Sequence, residues 1–168
     1  MRRKIAYRRM LIPAVAVIVL VLMAAGDTVQ VGAAQAAKKS DAVVKINATA
    51  GEPGPDGKQV VTLTLKIDKP WHLYANPVPP EFPGIPTEVK VEKVKPEDVK
   101  VDYPPGKLVK DAVVGDYKVY EDQVTIKATV QRAKGDRSPL ELSVRVQACT
   151  DKQCLLPATV KLTVPSAK

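Results

Sequence analysis

Apolar and polar residues alternate with a period of two through most of the chain after residue 40. Residues 58–67 show it most clearly, with Val61, Leu63, Leu65 and Ile67 at every second position. A period of two puts these side chains on one face of a β-strand. After the N-terminal apolar segment, no stretch keeps a helical apolar period over three turns, and the 15 prolines disfavour one. We therefore predict an all-β domain.

Several other segments share this alternation or are short enough to be edge strands. The predicted strands are residues 41–50, 58–67, 71–75, 87–94, 99–103, 117–120, 123–130, 140–146 and 159–164. Clusters of Gly, Pro and Asp separate them, as in the turns at 51–57, 104–106 and 134–136. Seven to nine short strands at this spacing predict an immunoglobulin-like antiparallel β-sandwich of two sheets.

The N-terminus has the three parts of an export signal. A basic segment is followed by an uncharged apolar run over residues 10–25 and by the small-x-small site Ala34-Gln35-Ala36. We predict a signal peptide at residues 1–36 and a single β-sandwich domain at residues 37–168, in the periplasm or secreted. A retained N-terminal membrane anchor is the alternative, which the short apolar run and Pro13 disfavour.

The net charge of the predicted mature domain is small. The whole chain carries 26 basic and 18 acidic residues; removing five basic residues and Asp27 with the leader leaves 21 and 17, a net charge of +4. Lysines and acidic residues are interspersed, as on a solvated surface. We therefore expect no nucleic-acid partner, and no membrane contact beyond an N-terminal anchor.

Cys149 and Cys154 are the only cysteines, and they lie in the predicted connection between the last two strands, residues 149–157. Facing positions of a hairpin have Cα atoms about 4.5 to 5.5 Å apart, within reach of a disulfide. Such a bond closes a six-residue loop and stabilises by about 2 kcal/mol, against about 4 to 5 kcal/mol for a hundred-residue loop. This spacing favours a reversible disulfide, while a structural hairpin disulfide remains an alternative.

Other chemistries have weaker support. His72 is the only histidine, and it follows Trp71 in a predicted strand, where a packed side chain is the simpler interpretation. A Cu(I) carrier would use both thiols, but all three methionines lie in the predicted leader. No nucleophile motif or phosphate-binding glycine pattern is present in the sequence. We expect no cofactor and no metal.

Two loops interrupt the regular spacing of the strands. Residues 76–86 hold five prolines and Phe82, and this predicts a stiff, extended connection. It is either a crossover between strands or a binding surface. The second loop covers residues 110–116, Lys-Asp-Ala-Val-Val-Gly-Asp.

Three separated segments carry a family resemblance. They are Trp71-His72-Leu73-Tyr74, the run Asp111-Ala112-Val113-Val114-Gly115-Asp116-Tyr117, and Gln147-Ala148-Cys149 followed after four residues by Cys154-Leu155-Leu156-Pro157. In this order they resemble the N-terminal periplasmic domain of the DsbD family of thiol:disulfide interchange proteins, over roughly residues 42–165. The resemblance implies an immunoglobulin-like domain that relays reducing equivalents.

By that resemblance, the domain takes electrons from a thioredoxin-like donor and passes them to periplasmic thiol-disulfide acceptor proteins, as a protein-disulfide reductase-type component. Cys154 resembles the cysteine that forms the mixed disulfide, and Cys149 its resolving partner. With the chain ending at Lys168, donor and acceptor are both expected to act in trans. The remaining alternative is a non-catalytic binding module whose disulfide stays closed.

The resemblance also assigns a cap over the disulfide, with one departure. Family members carry a large aromatic where this chain has Val113 or Val114. Tyr74, Tyr120 or Phe82 is then the candidate shield. Asp111 matches an acidic residue near the cysteines, where it would accept a proton or repel a thiolate, although a turn-forming role explains it equally well. No helix N-terminus is predicted near either thiol, so we expect modest intrinsic reactivity.

Overall fold

The computed structural model describes residues 37–165, and within that range the chain is almost entirely β-strand and loop. Short 3-10 turns lie at Ser40–Ala42 and Pro96–Asp98. The strands are β1 (Val44–Ala50), β2 (Lys58–Ile67), β3 (His72–Tyr74), β4 (Glu88–Val91), β5 (Val99–Asp102), β6 (Lys107–Val109), β7 (Tyr117–Tyr120), β8 (Gln123–Gln131), β9 (Leu140–Val146), β10 (Ala148–Cys149) and β11 (Ala158–Val164). Every pair of neighbouring strands is antiparallel.

The strands form three hydrogen-bonded sheets. The first sheet has the order β1-β2-β8-β5, and the second has the order β11-β9-β4. A third sheet of short strands, which we call the site sheet, has the order β10-β3-β7-β6. Because β9 belongs to the second sheet and β10 to the site sheet, the chain changes sheets immediately before Cys149.

One hydrophobic core joins the inner faces of the sheets. Leu63 and Leu65 of β2 are fully buried, as are Ile126 of β8 and Val144 of β9. The site sheet contributes Leu73, which is also fully buried in this core. Burying each such side chain stabilises the fold by about 1.5 to 3 kcal/mol. The site sheet is therefore anchored to the sandwich from beneath.

The all-β antiparallel prediction is confirmed, and the alternation in β2 and β8 marks the buried positions correctly. Several details differ from the sequence prediction. The predicted strand 87–94 is shorter, because β4 ends at Val91 before a turn in which Lys93 has a positive φ of 61°. Residues 41–43 belong to a 3-10 turn and its end, so β1 begins at Val44. The strands β6 and β10 were not predicted, because two or three residues are too few to show a period. Their pairing partners hold them extended, and they complete a third sheet.

The predicted leader, residues 1–36, lies outside the described residues. Across residues 37–165, no helix is long and apolar enough to cross a membrane.

Two cis peptide bonds, Lys69–Pro70 and Asn76–Pro77, lie on either side of β3.

Candidate functional site

Cys149 and Cys154 form a disulfide at one end of the site sheet, with their Cα atoms 4.0 Å apart. The two residues also face each other as an isolated antiparallel bridge. Their exposures differ sharply. Cys149 lies in β10 and is fully buried, whereas Cys154 is exposed. Of the two cysteines, Cys154 is therefore the one in contact with solvent.

A tight turn joins the two cysteines. The Thr150 N–H donates to the Gln153 carbonyl at 2.8 Å, and the Gln153 N–H donates back to the Thr150 hydroxyl at 3.2 Å. Just outside the turn, the Leu155 N–H donates to the Ala148 carbonyl at 2.9 Å. These bonds hold the two arms of the hairpin together independently of the sulfur–sulfur bond.

Strand register places two aromatic side chains on the disulfide face of the site sheet. Cys149 pairs with His72, and Ala148 pairs with Leu73. Cross-strand partners project from the same face of a sheet, and residues two apart on one strand share a face. His72 and Tyr74 therefore lie on the same face as Cys149, while Leu73 points into the core.

Three aromatic rings, which we call the aromatic cover, pack against one another, and one of them, Tyr74, lies beside the Cys154 sulfur. They are Tyr74, Phe82 and Tyr117, with ring centroids 4.8 Å apart for Tyr74–Phe82, 5.7 Å for Tyr74–Tyr117 and 4.8 Å for Phe82–Tyr117. The Tyr74 hydroxyl lies 4.0 Å from the Cys154 sulfur, at the outer limit of a hydrogen bond to sulfur. Tyr74 packs edge-to-face against both other rings, an arrangement that is favourable beyond simple burial, so Phe82 and Tyr117 hold Tyr74 against the sulfur.

The proline-rich loop, residues 76–86, brings Phe82 to this cover. The Ile85 N–H donates to the side-chain carbonyl of Gln147 at 3.3 Å, which ties the loop to the cysteine hairpin. Gly84 lies where the loop passes the rings: a Cβ there would overlap Phe82 and come within 2.5 Å of Tyr74. Only glycine allows this approach without moving a ring.

The loop at residues 110–116 is exposed to solvent at Val113 and Val114 and hydrogen-bonds within itself. Asp111 accepts hydrogen bonds from the N–H groups of Val113 and Val114 at 2.8 and 3.0 Å, which is the turn-forming arrangement. These bonds lower the pKa of the Asp111 carboxyl below its ordinary value. Val113 is 92% exposed and Val114 is also exposed. Both of these hydrogen bonds stay within the loop and do not involve the cysteines.

Tyr120, the remaining residue of the predicted surroundings, points away from the disulfide. It pairs with Leu73, is buried, and donates its hydroxyl hydrogen to the Pro104 carbonyl at 2.9 Å. It therefore packs in the core beneath the site sheet. Of the three aromatic residues considered as shields, the structure brings Tyr74 and Phe82 together near Cys154.

Burial controls the ionisation of the two aromatic residues on β3. Burial lowers the pKa of His72 below its ordinary value, and the nearby carboxylates of Asp151 and Glu121 offset part of this effect. Burial also raises the pKa of the Tyr74 phenol, and Tyr117 adds to the rise. At neutral pH, both side chains next to the disulfide are therefore uncharged.

The lowered pKa of His72 predicts a pH-dependent stability. Above the unfolded-state pKa of about 6.5, His72 is neutral in both states and its titration has no effect. As the pH falls from about 6.5 through the lower folded-state pKa, the unfolded chain binds the proton first, so the native state loses stability. We expect the urea midpoint of the oxidised protein to fall between pH 7.5 and 5.5, and to fall less in His72→Gln. An equal loss in both proteins would show that His72 does not contribute.

Metal ligands do not cluster around the disulfide. No group of three or more His, Cys, Asp or Glu residues that could hold a metal ion occurs in the part of the chain that the structure describes.

Comparison with known proteins identifies the family. The profile described as "Thiol:disulfide interchange protein DsbD, N-terminal" matches residues 34–166. The chain belongs to this DsbD N-terminal family. The match extends further toward the N-terminus than the resemblance seen in the sequence alone. No curated protein matches the chain.

Solved structures support the same fold for this DsbD-family domain. The reduced DsbD N-terminal domain of Neisseria meningitidis matches with a TM-score of 0.51 and 16% identity, covering 77% of this chain and 89% of that one. The N-terminal periplasmic domain of ScsB from Proteus mirabilis matches with a TM-score of 0.53 and 17% identity, covering 71% of this chain. This chain spans 46% of that ScsB chain. The predicted immunoglobulin-like fold is therefore confirmed.

Two residues near the disulfide are not among the site residues predicted from the sequence. Tyr117 joins the aromatic cover from β7, and only the pairing of β3 with β7 brings it there. Ser40 is fully buried and contacts both arms of the cysteine hairpin, although more than a hundred residues separate them in sequence. The signal that could have indicated Ser40 is a small polar residue at the start of the domain, which is too common to stand out.

Proposed function

We propose that this domain is a thiol-disulfide relay that carries two electrons at a time through Cys149 and Cys154. The observation that carries the proposal is the unequal exposure of the pair: one sulfur is accessible and the other is buried directly behind it. Exchange through a mixed disulfide needs one sulfur that a partner can attack and one that resolves the complex. Membership of the DsbD N-terminal family supports the same chemistry.

The first half of the cycle reduces the domain. A donor thiolate attacks the Cys154 sulfur, forms a donor–Cys154 disulfide and releases Cys149 as a thiolate. The donor's second thiolate then attacks its own bridged sulfur, closes the donor disulfide and releases Cys154 as a thiolate. The donor loses two electrons, and the domain gains two electrons and two protons as a dithiol.

The second half passes the electrons on. The Cys154 thiolate attacks an acceptor disulfide, binds one acceptor sulfur and releases the other as a thiolate. Cys149 then attacks the Cys154 sulfur and displaces the acceptor's remaining thiolate. Because Cys149 is buried, its thiol is shielded from other disulfides and thiols in solution and reacts with Cys154. The short turn between them keeps the two sulfurs close for this step.

The aromatic cover would protect the exposed sulfur between encounters. The uncharged Tyr74 phenol lies next to Cys154, and in the dithiol it can donate a hydrogen bond to a Cys154 thiolate. Small thiols would be slowed by the rings, whereas a docking partner would displace them. In this protein the shield is then Tyr74 with Phe82 and Tyr117, and Val113 and Val114 of the exposed loop are free to contact the partner.

Partners and location follow from the same proposal. The donor is a thioredoxin-like protein, and the acceptors are periplasmic thiol-disulfide proteins. The ScsB domain with a similar fold is periplasmic, and the predicted export signal at residues 1–36 agrees with an oxidising compartment for this chain.

The test is a transfer experiment with purified proteins. The oxidised domain is mixed with the dithiol form of a thioredoxin-like protein, and free thiols on each protein are alkylated and counted over time. We expect two thiols to appear on the domain while two disappear from the donor. The same mixture with the double variant Cys149→Ser/Cys154→Ser is the control. A domain that stays oxidised while the donor stays reduced would favour the binding-module alternative.

Removing the Tyr74 ring should expose the disulfide. We expect Tyr74→Ala to be reduced several-fold faster by glutathione than the unchanged protein, because access limits attack by a small thiol. Tyr74→Phe keeps the ring and should change the rate much less. Stopped alkylation time courses measure both. Equal rates in all three proteins would show that the aromatic cover does not shield Cys154.

A further inference from the structure

A short N-terminal segment, residues 38–42, packs against the cysteine hairpin, and we call it the clasp. The Ser40 N–H donates to the Leu156 carbonyl at 2.9 Å, and the Leu156 N–H donates to the Lys38 carbonyl at 3.3 Å. Lys39 and Leu156 form a parallel bridge. The clasp therefore adds a short strand-like pairing beside the arm that follows Cys154.

The Ser40 side chain joins both arms of the hairpin through a single oxygen. Its hydroxyl donates to the Leu156 carbonyl at 2.8 Å and accepts a hydrogen bond from the Ala148 N–H at 2.9 Å. Ala148 directly precedes Cys149, and Leu156 follows Cys154 by two residues. Ser40 and Ala148 are both fully buried, so the hydroxyl works without competition from water.

These contacts matter most when the sulfur–sulfur bond is open. Besides the sulfur–sulfur bond, the arms are joined near the cysteines by the Thr150–Gln153 turn, the Leu155–Ala148 hydrogen bond and the Ser40 bridge, and in the dithiol only contacts of this kind are left to hold them. The closer the arms are held, the higher the effective concentration of one thiol at the other. A high effective concentration favours ring closure over the open dithiol.

We infer that Ser40 is a positioning residue that sets the redox equilibrium of the Cys149–Cys154 pair by fixing both arms of its hairpin. This inference rests on the proposed relay and assigns Ser40 a part in the resolving step, in which Cys149 attacks the Cys154 sulfur and displaces a partner thiolate. Neither the proton nor the electrons pass through Ser40. The hydroxyl acts only by holding the backbone.

The test compares two buried serines. Ser40→Ala removes the bridge, and Ser143→Ala removes a similarly buried hydroxyl that donates to Glu92 at 2.6 Å on the second sheet. Each variant and the unchanged protein are equilibrated in glutathione buffers, or in dithiothreitol buffers where the pair stays oxidised in glutathione, and the thiols are trapped and counted. We expect Ser40→Ala to shift the equilibrium toward the dithiol by about three- to tenfold, the range of one net hydrogen bond. A tenfold shift raises the reduction potential by about 30 mV.

The control separates positioning from general stability. Both variants should melt at lower temperature, but only Ser40→Ala should change its potential, and Ser40→Thr, which keeps the hydroxyl, should return the potential toward that of the unchanged protein. An unchanged potential in Ser40→Ala would overturn the inference, as would an equal shift in Ser143→Ala.

A measurement on the unchanged protein decides the question even if Ser40→Ala does not fold. The Ala148 amide should be protected from hydrogen exchange by about three- to tenfold more in the oxidised than in the reduced protein, because a Ser40 hydrogen bond that shifts the redox equilibrium must be weaker in the dithiol by the same factor. Equal protection in the two redox states would contradict the inference. A potential too low for exchange in the unchanged protein would defeat the relay proposal, while the comparison of variants would still be readable.

Discussion

The Cys149→Ser protein should accumulate as a mixed disulfide with its redox partner. The Cys154→Ser protein should form no such complex and should lose essentially all thiol-disulfide exchange activity. Cys154 is the exposed sulfur, so it can still bond to a partner when Cys149 is absent. Without the Cys149 thiol, nothing within the domain can displace the partner, and the mixed disulfide persists when the partner also lacks the second thiol that would otherwise release it. Cys149 is fully buried, so in Cys154→Ser its thiol cannot reach a partner sulfur.

Mass spectrometry after alkylation measures this directly. Each reduced variant is mixed with a thioredoxin-like protein whose second cysteine is replaced by serine and whose first cysteine carries a small thiol as a mixed disulfide. Attack by Cys154 then releases the small thiol, and the amount of one-to-one protein complex is followed over time. Reduced unchanged protein, which also lacks the hairpin disulfide, controls for any loss of fold. Stable complexes with Cys154→Ser and none with Cys149→Ser would reverse the assigned roles of the two cysteines.

Leu73→Ala should destabilise the domain by about 2 to 5 kcal/mol, as truncation of buried leucines does. Leu73 is the fully buried residue of β3, and its neighbours His72 and Tyr74 face the disulfide. Its side chain connects the site sheet to the main core. The cavity left by alanine therefore loosens the strand that carries Tyr74, and faster reduction by small thiols should accompany the lost stability.

Urea unfolding of the oxidised protein gives the free energy of unfolding. The control is Val113→Ala, because Val113 is 92% exposed and a surface change of this kind alters stability by about 0.5 kcal/mol or less. A loss below about 1 kcal/mol for Leu73→Ala would mean that β3 is not anchored as the structure indicates.

The sandwich could be predicted from the sequence because its long strands repeat their pattern many times. In β2, four apolar residues alternate with polar ones and all four are buried. The hairpin of β9 and β11 was predicted in the same way. Its last pair, Val146 with Ala158, lies at the base of the segment that contains both cysteines. A two-fold period over seven or more residues outweighs local exceptions.

The site was only partly predictable, because its strands are too short to carry a pattern. The cysteine pair and the residues Tyr74 and Phe82 could be named from spacing, composition and resemblance. Tyr117 reaches the cover only through the pairing of β3 with β7, and Ser40 reaches the hairpin across a sequence separation of 116 residues to Leu156. Contacts of that kind depend on tertiary structure.

The reduction potential of the Cys149–Cys154 pair tests the central claim most directly. The domain is equilibrated in buffers with increasing ratios of reduced to oxidised glutathione, quenched with acid and alkylated. Mass spectrometry then gives the dithiol fraction. A relay predicts a potential between about -230 and -120 mV, in the range of disulfide-exchange proteins. A potential below about -300 mV, typical of structural disulfides, would contradict it.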